Sequence, residues 1–195
     1  MNEDLTTTSF IPPTMLGYDE TLKPYAYNPA YAQKLMKKVK LPPGNLEWRA
    51  LKLLHTNGVK TIEIAKNIQR DLKQIGLSIE LIEMSYKDGP RWGQALAAGK
   101  YDLFLMGYKA DIDKLYASEE ASTDRDSYGL IAPLFRSNGG ANFTGYNNPK
   151  FDQQLDQIEQ SNRGQRNLRD EKLKQANRIL YKDLPAVVLF YIEKI

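Results

Sequence analysis

The sequence predicts an α/β fold: a mostly parallel sheet flanked by helices, preceded by a Pro/Tyr-rich N-terminal wrap. Three observations predict it. From Glu47 onward, strand-like and helix-like stretches alternate in a β-α-β-α-β order, which right-handed crossovers turn into a parallel sheet. Tyr101–Met106 is nearly all apolar, as a strand covered on both faces is. The first 45 residues are instead punctuated by Pro12, Pro13, Pro24, Pro29, Pro42 and Pro43, so they make no core alone and must lie against a neighbour.

In this wrap, Asn28 caps a short helix with Pro29 at its first position. Tyr31, Leu35 and Met36 form its apolar stripe, and Lys37 and Lys38 close it. Tyr18, Tyr25, Tyr27 and Tyr31 are expected to pack the wrap onto the body. Glu47–Leu54 reads as the first strand, and Asn57-Gly58 turns the chain into a helix. In that helix Val59, Ile62, Ile68, Leu72 and Ile75 recur at three- and four-residue steps, and Gly76 stops it in a left-handed conformation. Leu77–Leu81 alternates as a half-buried strand does, and Arg91–Ala98 is a short helix closed by Gly99.

Beyond the apolar strand, Gly107–Tyr146 is irregular apart from a helix near Tyr128–Phe135. Asn148 caps a helix from Pro149 that turns Phe151, Leu155 and Ile158 inward. Arg166–Asp183 is a longer helix with Leu173, Ala176 and Leu180 on one face, Pro185 stops it, and Ala186–Ile192 is a final buried strand. The organisation expected is a wrap over 1–45 and an α/β ligand-binding lobe over 46–195.

Composition narrows the chemistry. With 195 residues, 42% of them hydrophobic, the chain buries a core without staples. No Cys is present, which excludes disulfides, thiolate zinc sites, iron–sulfur ligation and Cys nucleophiles, and the single His, His55, excludes multi-His metal sites. A net charge of +3 argues against a large basic nucleic-acid face, and the longest apolar runs are too short to cross a bilayer. Met1–Thr8 has neither a basic nor an apolar signal-peptide region. Read alone this favours a cytoplasmic protein; the same absence fits an internal piece of a longer, exported chain.

Ligands of open α/β sheets bind outside the carboxyl ends of the strands, here His55–Gly58, Met84–Tyr86 and Gly107–Asp111. The third combines a glycine open to close approach, the aromatic Tyr108 and the carboxylate of Asp111, which suits a small cationic group. The alternative is a turn in which Asp111 caps the next helix. Asp111 with Asp113 is a poor metal or glycosidase pair, because no further acids complete a ligand pattern. His55, placed after its strand, lacks a serine partner in a nucleophile elbow. Gly58-Val-Lys-Thr is half of a phosphate loop and more simply a helix start. Ser137–Asn142 reads as a flexible loop, and Arg163–Lys174 as a solvated mixed-charge helix face. These residues describe a ligand-binding domain without catalytic machinery, metal or cofactor.

Five stretches in order then resemble the C-terminal lobe of family 5 extracellular solute-binding proteins, the receptors of oligopeptide, dipeptide and nickel ABC importers. They are Ile11–Pro29 with Gly17-Tyr-Asp, Ile64–Gly76, Gly99–Asp111, Phe143–Asp152 and Asp183–Tyr191. The resemblance implies a periplasmic-binding-protein type II lobe, one part of a two-lobed, non-enzymatic receptor whose first lobe is missing here. It implies an extracytoplasmic location, either periplasmic or lipid-anchored at the cell surface. Such a receptor binds a small ligand, foremost a peptide, and delivers it to a membrane permease, with no nucleic-acid partner. In peptide-binding members the acid at Asp111 pairs the ligand's α-amino group, with Tyr108 beside it; Gly107 and Tyr146 complete the expected ligand-binding set. The sequence departs from the family at Ile112–Leu115, where a Tyr-Pro-Asp-Pro run is usual. An effector lobe of a helix-turn-helix transcription regulator would carry the same pattern.

Overall fold

The computed structural model describes residues 9–39, 50–85, 87, 89–108, 126–161 and 164–191. They fall into two compact units that cut the chain elsewhere than at the expected wrap–lobe boundary. One is continuous, Ala26–Tyr108; the other is discontinuous, Met1–Tyr25 with Lys109–Ile195.

The continuous unit opens with α1 (Pro29–Met36), capped as expected by the Asn28 side chain, which accepts from the Tyr31 amide. Among the described residues its sheet has three parallel strands in the order β2-β1-β3: β1 (Leu51–Thr56), β2 (Ile79–Met84) and β3 (Leu103–Phe104). The register sets Leu51 beside Ile79, Thr56 beside Met84 and Leu54 beside Phe104. Between β1 and β2 runs α2 (Val59–Gln74). It buries Ala65, and sets Ile68 and Leu72 against Leu53 and Ile79, a small apolar core. Gly76, at φ +92°, ends the helix: its amide donates to Lys73 and the next, that of Leu77, to Leu72, satisfying last-turn carbonyls. A second short helix, α3 (Gly89–Ala97), precedes β3.

Three expectations are corrected here. β3 is two residues long rather than six; the Asp102 carboxylate accepts from the Lys52 amide at 2.8 Å and takes a place that another residue's carbonyl would hold in a longer ladder. His55 lies within β1, buried, with Nδ1 2.9 Å from the Thr56 carbonyl oxygen, and not in a loop after the strand. Tyr27 and Tyr31 do not pack a wrap onto a body; they are exposed, as is Leu35 of the expected helix stripe. The start of the first predicted strand, residues 47–49, lies outside the described residues.

The discontinuous unit holds the larger core, around α4 (Tyr128–Phe135), α5 (Pro149–Glu159) and α6 (Arg166–Asp183). Asn148 caps α5 through bonds from the Lys150 and Phe151 amides, so Phe151, Leu155 and Ile158 face inward one turn apart. With them lie Phe10, Ile11, Ile131, Phe135, Leu173, Ala176 and Leu180. Burying such side chains contributes about 1.5–3 kcal/mol each.

Polar side chains of α6 fasten residues 9–25. The Gly17 amide donates to Asp170 Oδ1 at 2.7 Å, and Asn177 Nδ2 donates to the Gly17 carbonyl at 3.1 Å and to Ser9 Oγ at 2.9 Å. Gly17 sits at φ +88°, and a Cβ there would lie 2.5 Å from that of Leu173. Asp19 accepts from Thr21 and, at 2.6 Å, from Arg178 Nε. Burial by itself would raise its carboxyl, but these donors outweigh it and hold the group below its ordinary value. Tyr181 stacks on Tyr25 with centroids 5.1 Å apart and donates to the Lys23 carbonyl.

The α6 surface also departs from expectation. Arg169 is not on a solvated face; it is buried, paired with Asp126 and bonded to the Ile158 carbonyl. Among the described residues 186–191 no strand forms: Ala186 and Val188 pack on the core while Val187 points out, and the helix ends at Leu184, left-handed at φ 48°.

Candidate functional site

The continuous unit's strand order locates the candidate site. The chain leaves β1 toward β2, then passes back beyond β1 to β3, so the direction of connection reverses at the central strand. Ligands of open α/β sheets bind outside the carboxyl ends of the strands at such a point.

Those ends are Thr56, Met84 and Phe104. After β1, Gly58 begins α2 without a side-chain cap, so the first-turn amides have no side-chain acceptor from that position. That is the plainer reading of Gly58-Val-Lys-Thr. After β3, the Leu105 amide still donates to the Leu54 carbonyl at 2.9 Å. Met106 and Tyr108 beyond it are each 38% exposed, and a Cβ at Gly107 would meet nothing within 4 Å. Neighbouring side chains therefore do not require glycine at 107, and its backbone is open to close approach. Exposed Met106 was not singled out from the sequence, where it closes an all-apolar run that carries no alternating signal.

Of the four residues expected to bind ligand, Gly107 and Tyr108 are adjacent at this edge. Asp111, like Asp113, lies outside the described residues. Tyr146 belongs to the other unit. There its ring meets Phe135 and Phe151 edge-on, 6.4 and 5.8 Å between centroids, and its hydroxyl donates to Asp183 Oδ2 at 2.6 Å. Burial first, and then the bond to Asp183, keep the phenol protonated well above its usual range. The same Asp183 oxygen accepts from Asn148 Nδ2, and these two bonds hold its carboxyl low.

Residues 137–142 are not a flexible loop. The Ser137 amide donates to Asp152, and Asn142 donates to the Arg136 and Tyr146 carbonyls. A Cβ at Gly139 would lie 2.5 Å from the Pro133 carbonyl oxygen, so the turn closes on itself. Among the described residues no three His, Asp or Glu gather as a metal site, and no helix is long and apolar enough to cross a membrane.

Residues 2–126 match the family described as Bacterial extracellular solute-binding proteins, family 5 Middle. The chain belongs to this family. It is similar to the dipeptide-binding protein of Escherichia coli, 24% identical over 188 residues, which is 93% of this chain and 31% of that protein. It is also similar to the oligopeptide-binding protein OppA of Bacillus subtilis, 24% identical over 97% of this chain and 33% of OppA. The chain thus spans about a third of the length of these relatives.

Among solved structures, the periplasmic binding protein DppA of Helicobacter pylori in complex with the peptide STSA superposes with a TM-score of 0.77. The two are 20% identical, over 96% of this chain and 33% of DppA. The oligopeptide-binding protein OppAIV of Borrelia burgdorferi gives 0.75 at 21% identity, over 96% of this chain and 34% of that one. At such identities the likeness shows the fold, that of a type II periplasmic binding protein.

Proposed function

We propose that this chain is part of a non-enzymatic, extracytoplasmic receptor that binds a peptide and hands it to an ABC permease, the remaining ligand contacts coming from a first lobe absent here. The observation that carries the reading is family membership. The matched relatives are named for dipeptides and oligopeptides, and the likeness runs along nearly the whole chain. The carboxyl edge of the sheet supports it. Gly107 leaves backbone open beside the exposed ring of Tyr108, and Asp111 follows three residues on to pair an α-amino group. Tyr146 enters the reading as a support of the lobe's own packing, its hydroxyl being committed to Asp183.

The test is calorimetry on the receptor containing these residues, with a free dipeptide and its N-acetylated form. Asp111→Ala should weaken the free dipeptide by about 2–5 kcal/mol and leave the acetylated one unchanged. Equal losses for both would remove the amine-pairing role. No binding of any di- or oligopeptide by the unsubstituted receptor would remove the peptide reading.

A further inference from the structure

The continuous unit carries a second surface, which includes none of the residues named at the candidate site. Over Ala26–Tyr108 the sequence has 13 Lys and Arg against 7 Asp and Glu, a net +6, whereas the whole chain is only +3. Part of that charge lies on α1. Its half-buried side, Pro29, Ala32 and Met36, faces inward, and Gln33 Nε2 donates to the Gln74 carbonyl at the end of α2.

The opposite side is uncovered. Tyr27 is 77% exposed, Tyr31 57%, Leu35 43% and Val39 47%, each four residues from the last. Tyr31 and Leu35 lie one turn apart on one side of α1 with Lys34 at their edge, and Tyr27 just before the helix and Lys37, Lys38 and Val39 just after it are exposed as well. A lysine in the last turn complements the helix dipole. The dipole gives no reason for two tyrosines, a leucine and a valine to face water beside it.

We propose that the exposed face of α1 docks on an anionic lipid surface. Its apolar side chains enter the headgroup layer, the tyrosine rings sit at its polar boundary, and Lys34, Lys37 and Lys38 pair with lipid phosphates. Size favours a bilayer over a protein partner. Eight helical residues make a ridge about 12 Å long and about 10 Å wide, on the order of 120 Å², far short of the roughly 800 Å² per side that a stable protein interface buries. A bilayer needs only shallow insertion and diffuse charge, and the unit's +6 supplies the charge. This inference does not rest on the receptor reading.

The test is sedimentation of the 195-residue chain with vesicles of 70:30 phosphatidylcholine and phosphatidylglycerol, or of phosphatidylcholine alone. Binding to the anionic vesicles alone is expected, weakening as salt rises. Replacing Lys34, Lys37 and Lys38 by Gln should lower the partition about 100-fold, roughly fivefold per charge. Tyr31→Ser with Leu35→Ser should lower it about tenfold, at low and high salt alike. Lys150, Lys172 and Lys182 changed to Gln, in the other unit, should leave it unaltered. Circular dichroism identical to wild type confirms that the exposed substitutions leave the fold intact.

The assignment falls if anionic vesicles are not bound, if phosphatidylcholine binds equally, or if the α1 and control triples act alike. It also falls if the chain is a dimer by light scattering that the Tyr31/Leu35 change dissociates, since that face then closes on a second copy. Binding of polyglutamate without binding of vesicles would assign the face to an acidic polypeptide instead.

Discussion

The two units are held together by different means. In the continuous unit a backbone ladder, covered by α2 over a small core of Leu53, Ala65 and Ile79, carries the fold. In the discontinuous unit eleven buried residues among those described make a larger core, and charged and amide groups of α6 add directed bonds to residues 9–25. The lesson is that a short parallel sheet closes with local connections, whereas a returning segment without strand pairing needs polar partners to fix its register. Each backbone group of residues 9–25 that leaves water must find a bond, and α6 supplies several.

The sharpest way to break this comparison is at the buried pair. Arg169→Met takes the ion-pair partner from the buried Asp126, leaving it the Tyr128 amide as donor, and should destabilise the discontinuous unit by about 3–5 kcal/mol in chemical denaturation. A loss below 1 kcal/mol would mean that the polar fastening adds little to the core. Two glycines with positive φ give the next test. Gly17→Ala places a methyl group into Leu173 and should cost about 2–3 kcal/mol. Gly76→Ala has open space around it and should cost only the conformational strain, about 1 kcal/mol. Equal losses at the two positions would show that contact with α6 does not decide the first. Asn148→Ala removes the α5 cap and its bond to Asp183, and should lower stability by about 1–2 kcal/mol.

The smallest effect is that of acid. Asp19, Asp170 and Asp183 are all held below their ordinary values, and all three belong to the discontinuous unit. For groups depressed in the folded state, the stabilisation is complete above their unfolded pKa, about 4, and is lost as pH falls through the folded values. Both tryptophans, Trp48 and Trp92, lie in the continuous unit. Helical circular dichroism should therefore decline below about pH 4 before tryptophan fluorescence changes. Coincident transitions would mean the units unfold as one.

What could be read from sequence follows the same division. Signals confined to one turn were legible: Asn28 and Asn148 as caps, Gly76 as a stop, the inward spacing of Phe151, Leu155 and Ile158. Signals that depend on distant partners were not. Nothing near Gly17 announces Asp170, 153 residues away, and the charged spacing of α6 does not reveal that Arg169 alone turns inward to Asp126. The apolar run before Gly107 indicates burial, but not that the Asp102 side chain takes the Lys52 amide just ahead of a two-residue strand. At the candidate site, Gly107 and Tyr108 were placed by the topology rule; the tie of Tyr146 to Asp183 across 37 residues had no local mark.

The discontinuity of one unit has a consequence in time. A ribosome adding about 5–20 residues per second leaves roughly 8–30 s between Gly17 and the Asp170 it bonds. Throughout that interval Phe10, Ile11 and the turn at Gly17 have no α6 to receive them, and well before it ends the three described strands of the continuous unit have been made. Nascent-chain folding should therefore begin in the middle of this sequence, and its first residues should be among the last to become resistant to protease.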